Sequence, residues 1–155
     1  MIALLLAAAV AAAPPPGEEP VEAYVQSNAN AGAQPFKDDR LYQAFHGQPG
    51  IDRIVDDLVD RSTKDPRIEE IFKATDLVRL RRTLKEQFCY LLGGPCDYSG
   101  RDMKTTHKDH GIQTADFNAL VEHLQAAMDR EGVPFRDQNR FLAKLAPMKR
   151  DVVER

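Results

Sequence analysis

The sequence predicts an all-α protein on three observations. Apolar residues recur every three or four positions through most of the chain, no stretch alternates apolar and polar residues as a β-strand does, and no Asn-Gly hairpin turn occurs. Glycines and prolines separate the periodic stretches from one another. We therefore expect four substantial helices, a short helix near 41–45, and an irregular segment that ends at His107.

The first two long helices follow from their apolar faces. The first face contains Ile51, Ile54, Val55, Leu58 and Val59. Asp76 is a suitable N-cap for the second helix, which should end at Gly93. The apolar stripe of this second helix contains Leu77, Leu80, Leu84, Phe88 and Leu91.

The last two long helices are bounded by similar signals. Thr114 is the expected cap of the third helix and Gly132 its expected end. Pro134 precedes the fourth helix, and Pro147 should bend it. The inward positions of these helices are Phe117, Leu120, Val121, Leu124 and Met128, then Phe141, Leu142, Leu145, Met148 and Val152.

The chain divides into three parts by composition. Residues 1–13 are apolar after Met1 and resemble a secretory signal, with a cleavage region at Ala11–Ala13, although no Lys or Arg follows Met1. Because about 20 residues are needed to span a bilayer, we expect export rather than an integral membrane span, with a periplasmic location. If this segment is not a signal, the protein is cytoplasmic. Residues 14–35 should form a disordered linker, and residues 36–155 the folded domain.

Charge and composition exclude one class of partner. The chain has 155 residues, a formal net charge of −3 and no long basic run, so nucleic-acid binding is not expected.

The segment from Gly93 to His107 contains the clearest candidate site. Gly93-Gly94-Pro95 stops a helix, Tyr98-Ser99-Gly100 makes a turn, and Gly100 should adopt backbone angles that other residues avoid. This reversal presents His107 from a short, fixed segment, which is how proteins usually present the neutral imidazole that ligates haem iron. The alternative is a solvated histidine without a ligand role.

The order of motifs along residues 41–153 resembles the group I truncated haemoglobins. The motifs are Leu41-Tyr42, Gly50-Ile51, Asp65-Pro66-Arg67, Phe72, Leu91-Leu92-Gly93-Gly94-Pro95, Tyr98 through Met103, His107, Gly111-Ile112, Phe117, His123-Leu124, Gly132-Val133-Pro134 and Leu145-Ala146-Pro147. The resemblance implies a globin-like two-over-two helical sandwich that holds non-covalent haem b through His107 and binds O2, CO or NO. It leaves open whether a reductase is a partner.

The resemblance also implies roles for the residues around the haem. Phe72 matches the phenylalanine on the haem face, and Phe88 matches an aromatic side chain at the inner end of the pocket. Tyr98, together with Arg79 or Arg82, is a candidate to meet the haem propionates, although a solvated surface role is as good for each arginine. The side chains expected around the proximal and rear walls are Met103, Ile112, Phe117, Val121, Leu145 and Met148.

The distal side departs from the family pattern. Many group I members place a tyrosine and a glutamine where this chain has Val59 and Leu84, and Leu80 lines the same face. An apolar distal pocket should hold O2 weakly, because a hydrogen-bond donor to it contributes about 1 to 3 kcal/mol. Thr83 or Gln87 would supply a donor if either side chain turned inward, but we expect both on the solvated face.

The two cysteines suggest a disulfide. Cys89 precedes the Gly93-Gly94-Pro95 reversal and Cys96 follows it, so the chain can return the sulfur atoms to bonding distance in an oxidising compartment. Two reduced thiols are the alternative. No Cys-x-x-Cys-His sequence is present, so covalent haem attachment is not indicated.

A zinc site built from His107, His110 and Asp109 is formally possible, but their spacing matches no recognised ligand set.

Three classes of function follow. The first is a haem protein that binds diatomic gases, with a role in oxygen transport or NO handling. The second is a haem enzyme such as an NO dioxygenase or a peroxidase-like catalyst, which would need a distal acid or base that Val59, Leu80 and Leu84 do not provide. The third is a helical interaction module without a cofactor, and a Soret absorption band would exclude it.

Overall fold

The computed structural model describes residues 13–154, and this part of the chain contains helices and no strand. Its α-helices are α1 Arg40–Ala44, α2 Gly47–Lys64, α3 Glu69–Phe72, α4 Leu77–Leu91, α5 Met103–His107, α6 Thr114–Glu131, α7 Phe135–Leu145 and α8 Lys149–Val152. Two 3-10 helices cover Asn28–Ala31 and Ala146–Met148. The expected signal segment, except for its last residue, lies outside the described residues.

Four of these helices form two pairs that lie across each other. Helix α2 packs on α4, α6 packs on α7, and α2 also crosses α6, so the prediction of a two-over-two sandwich is confirmed. Phe141 lies at the centre of the core, where its ring meets the rings of Phe45 and Phe88 edge to face at centroid distances of 5.3 and 4.9 Å. Such contacts add to the stabilisation from apolar burial.

Local signals set several of the helix ends. The Asp76 carboxylate accepts a hydrogen bond from the Arg79 N–H at 3.0 Å, which caps α4, and Gly132 ends α6 in the left-handed conformation. The prediction of Thr114 as a cap is wrong by one residue, since Thr114 is the first residue of α6 and Gln113 precedes it. The Gln113 N–H is satisfied by the Asp116 carboxylate at 2.9 Å, as in a capping box.

Prolines and glycines were predicted to end helices or turn the chain at three positions, Pro147, Gly93 and Gly100. Pro147 interrupts the last helical stretch as expected, because the chain passes through the 3-10 helix before α8 begins. Gly93 adopts a φ of 87° and ends α4 as predicted. Gly100 does not have a positive φ, so the expected reason for that glycine is wrong. It is needed because the Tyr98 ring lies where a Cβ atom would be.

The structure differs from the expectation of a disordered linker at 14–35. Ala31 is fully buried, the Glu18 side chain is almost fully buried, and the Tyr24 hydroxyl donates to the Ser99 carbonyl at 2.6 Å. The segment was expected to be mobile because it has few apolar residues. Ion pairs and hydrogen bonds hold it instead, and composition does not reveal them. Among the described helices, none has the length and apolar character to cross a membrane.

Candidate functional site

His107 is the last residue of α5, a helix fixed at both ends. The Asp102 carboxylate caps the helix by accepting from the Thr105 N–H at 2.9 Å. His107 Nδ1 lies 2.7 Å from the Met103 carbonyl oxygen. Because a carbonyl only accepts, Nδ1 must carry the hydrogen, and Nε2 is left with a free lone pair. Burial lowers the pKa of His107 below its usual value, which favours the neutral imidazole that a metal binds.

Met103 connects this histidine to the opposite helix. The Gln87 amide nitrogen on α4 lies 3.4 Å from Met103 Sδ and donates to the Ala31 carbonyl at 2.8 Å. The expectation that Gln87 faces solvent is wrong, since it is 5% exposed. A signal was present in the sequence, because Leu80, Leu84, Gln87 and Leu91 follow helical spacing on one face of α4.

The predicted wall residues fall into two groups by burial. Those in the closed core are Val59, Phe88, Met103, Ile112 and Met148. Those that remain half-buried are Phe72, Leu80, Leu84, Phe117, Val121 and Leu145. A set of large apolar side chains that the protein covers only in part suits a flat apolar ligand, which would bury the remainder. The single free imidazole nitrogen and this apolar surface together fit a haem group.

The predicted propionate contacts have other partners in the structure. Arg82 pairs with Glu18 and, at 2.8 Å, with Glu86, while Arg79 lies 3.3 Å from Glu18. The Arg82 hydrogen bond lowers the pKa of Glu18, so this carboxylate is charged at neutral pH. Glu18 was missed because it lies 61 positions before Arg79 in the chain, and nothing in the local sequence pairs them.

Tyr98 also departs from its expected role. Its side chain is in the core, the residue is 5% exposed, and its hydroxyl donates to the Arg101 carbonyl at 2.8 Å. Burial raises the pKa of Tyr98, so the phenol stays protonated. The residue therefore shapes the turn before α5 and is not placed to meet a carboxylate near solvent.

The loop after His107 is held by the far end of the chain. Helix α8 packs against α5, and the Glu154 N–H donates to the Ile112 carbonyl at 2.9 Å. Distant residues therefore hold the chain on both sides of His107: Gln87 contacts Met103 before it, and Glu154 bonds to Ile112 after it.

Cys89 and Cys96 are joined as a disulfide in the structure, with Cα atoms 5.8 Å apart. Within residues 13–154 no cluster of three or more His, Cys, Asp or Glu side chains is arranged to hold a metal ion, so the zinc alternative has no ligand set there. His110 is exposed.

The fold and this site define a class, the haem globins: a small helical sandwich with one histidine held with its Nε2 lone pair free, and a set of half-buried apolar side chains. Comparison with known proteins agrees. The family model described as "Bacterial-like globin" matches residues 40–154. The group 1 truncated hemoglobin GlbN of Nostoc sp. (strain MUN 8820) is 35% identical over 109 residues, which are 70% of this chain and 92% of that protein.

Solved structures show the same similarity. The truncated hemoglobin of Tetrahymena pyriformis in its Fe(III) form has a TM-score of 0.71 and 25% identity, over 74% of this chain and 98% of that one. The 2/2 hemoglobin of Synechococcus sp. PCC 7002, solved in the cyanomet state with covalently attached heme, has a TM-score of 0.68 and 22% identity over the same shares. The chain belongs to the bacterial-like globin family, and within it to the group 1 truncated haemoglobins, which are haem-binding globins.

Proposed function

We propose that this chain holds one haem b without a covalent bond, that His107 Nε2 ligates the iron, and that the protein binds O2, CO and NO. The bond from His107 Nδ1 to the Met103 carbonyl carries the proposal, because it fixes the tautomer and orientation of the ring. The haem iron supplies the position at which a diatomic gas binds. The residues of the chain decide how the haem is oriented and how strongly the gas is held.

The cysteines support non-covalent attachment. Cys89 and Cys96 are both used in the disulfide, and the described part of the chain has no free cysteine. A disulfide is typical of an oxidising compartment, and this supports our further proposal that the protein is exported to the periplasm by its first 13 residues.

The ligand side of the pocket has no free donor among the residues assigned to it. Val59, Leu80 and Leu84 are apolar. Gln87 turns inward, but its amide hydrogens face the Ala31 carbonyl and the sulfur atoms of Met103 and Met148. We therefore propose that the pocket does not retain O2 tightly. Bound CO is less polar than bound O2, so the lack of a donor should weaken CO binding less.

Absorption spectra of purified protein test the proposal. We expect a Soret band in the oxidised and reduced forms that shifts when CO is added. The His107→Gly variant should either fail to hold haem or lose the spectrum of histidine-ligated iron. Added imidazole should restore the wild-type spectrum. His110→Gly, an exposed histidine three residues away, is the control and should behave as wild type. A normal spectrum in His107→Gly without imidazole would contradict the assignment.

A further inference from the structure

Residues 14–34 lie along one side of α4 and are attached at several points. At the start of the helix, the Glu19 N–H donates to the Asp76 carboxylate at 2.7 Å. At the end of the segment, the Lys144 ammonium donates to the Gln34 carbonyl at 2.6 Å, which ties it to α7. Tyr24 reaches the loop before α5 through its hydrogen bond to Ser99. The segment therefore contacts three separate parts of the globin domain.

Ala31 and Gly32 lie beside Met103, the residue whose carbonyl orients His107. Ala31 is fully buried and accepts the Gln87 hydrogen bond from α4. A Cβ atom on Gly32 would lie 2.9 Å from Met103 Cγ and 3.0 Å from Met148 Cε, so the backbone there is in close contact with both methionines. The segment thus touches α4, which forms one wall, and the first residue of α5, the helix that carries His107.

Glu18 is the strongest anchor of this segment. Its side chain is 1% exposed and pairs with both Arg79 and Arg82. Arg82 in turn donates to the Ser99 hydroxyl at 2.6 Å, so the anchor is continuous with the loop before α5. A buried carboxylate that loses such partners is left without compensation for its lost hydration, so this contact resists opening.

We propose that residues 14–34 are a strap across the α4–α5 side of the haem cleft, and that release of its Glu18 anchor sets the rates of haem entry and loss. This inference rests on the proposed haem function. For haem to pass this side of the cleft, the α4 wall and α5 must separate, and the strap is bonded to one and packed on the other. Because entry and exit cross the same barrier, weakening the anchor should accelerate both.

Glu18→Gln tests the strap in the full chain. The matched control is Glu22→Gln, since Glu22 is exposed in the same segment and forms no ion pair with a described residue. Haem loss is measured by transfer to excess apomyoglobin, and uptake by stopped-flow mixing of the apoprotein with CO-haem. We expect Glu18→Gln to accelerate both rates about tenfold, the factor for one charge-assisted hydrogen bond, with their ratio nearly unchanged. Glu22→Gln should match wild type.

Two results would overturn the strap while leaving haem binding intact: unchanged rates in Glu18→Gln, or faster loss with slower uptake, which is an ordinary loss of affinity. Circular dichroism shows whether Glu18→Gln folds. If it does not, Tyr24→Phe replaces it, since this change removes only the hydroxyl bonded to Ser99. Tyr24→Phe must then accelerate both rates, and unchanged rates would overturn the strap. A wild-type protein that binds no haem would overturn the proposed function and the strap together.

Discussion

Gln87 donates an amide hydrogen to the carbonyl of Ala31 across 2.8 Å, although 56 residues separate them in the chain. This bond joins the N-terminal segment to α4 and also occupies the one glutamine on the inward face of that helix. The Gln87 amide in the predicted pocket therefore hydrogen-bonds to the protein's own backbone. Its role is structural, unlike that of an amide that donates to a bound gas.

Replacing Gln87 by Leu should separate these two roles. The Ala31 carbonyl would lose its buried donor, so the free energy of unfolding should fall by about 1 to 3 kcal/mol in urea titrations. The O2 dissociation rate should stay within about twofold of wild type, since less than 1 kcal/mol of ligand stabilisation would be involved. A large acceleration of O2 release would mean that the amide does meet the ligand.

Adding a donor at Leu84 should have the opposite effect on the gas. Leu84→Gln places an amide on the half-buried face of α4, and we expect O2 release to slow about tenfold or more in stopped-flow measurements, with a smaller change for CO. Val78→Gln, on an exposed part of the same helix, is the control. If both variants behave as wild type, the assignment of Leu84 to the ligand pocket is wrong.

The disulfide should stabilise the end of α4. It links positions seven residues apart, so its reduction should lower the free energy of unfolding by about 2 kcal/mol. The measurement is chemical unfolding with and without reductant, alongside Cys96→Ser. Mass analysis after alkylation without reductant shows whether the bond forms in protein recovered from an oxidising compartment, and two labelled thiols there would refute it.

Stability in acid should depend on Glu131. Hydrogen bonds from Arg53 and, to a smaller extent, His46 lower the pKa of Glu131 to about 2, below its usual value of 4.5. A carboxylate with a lowered pKa in the folded state stabilises the protein above 4.5, and this contribution is lost as the pH falls towards 2.

Glu131→Gln should therefore lose less stability than wild type between pH 4.5 and about 2, as followed by thermal melts across that range. Glu22→Gln, on an exposed glutamate that forms no ion pair with a described residue, is the control and should keep the wild-type slope. Identical slopes for wild type and Glu131→Gln would show that the ion pair does not form in solution.

Residues with local signals were predictable from the sequence. Some features depend only on atoms within a few residues, so the local sequence predicts them. These are the Asp76 cap, the left-handed glycines at 93 and 132 and the break at Pro147. The local signals predicted an all-α fold, and the two-over-two architecture was implied by the resemblance to the group I truncated haemoglobins. The amphipathic pattern of α4 placed Leu80 and Leu84 on its apolar stripe, and both side chains are partly buried in the structure.

Tertiary partners were not predictable in this way. Tyr98 was expected near solvent, yet the close approach of Gly100 encloses its ring. Glu18 was expected in a mobile linker, yet two arginines about sixty residues further along bury it. The contact that buries Glu18 joins residues that are distant in sequence, and the contact at Tyr98 is an unusually close approach in space. Neither periodicity nor composition predicts such contacts.

The hydrogen bond from Glu154 to Ile112 also bears on the order of events during synthesis. Helix α5, which carries His107, and the loop after it contact residues made earlier, at 31–32, and residues made later, at 149–154. Domains fold as units once their contacts are available. A nascent chain that lacks residues 149–154 therefore lacks contacts that fix α5 and the loop after it. We expect such a chain to acquire haem only once these residues have been made.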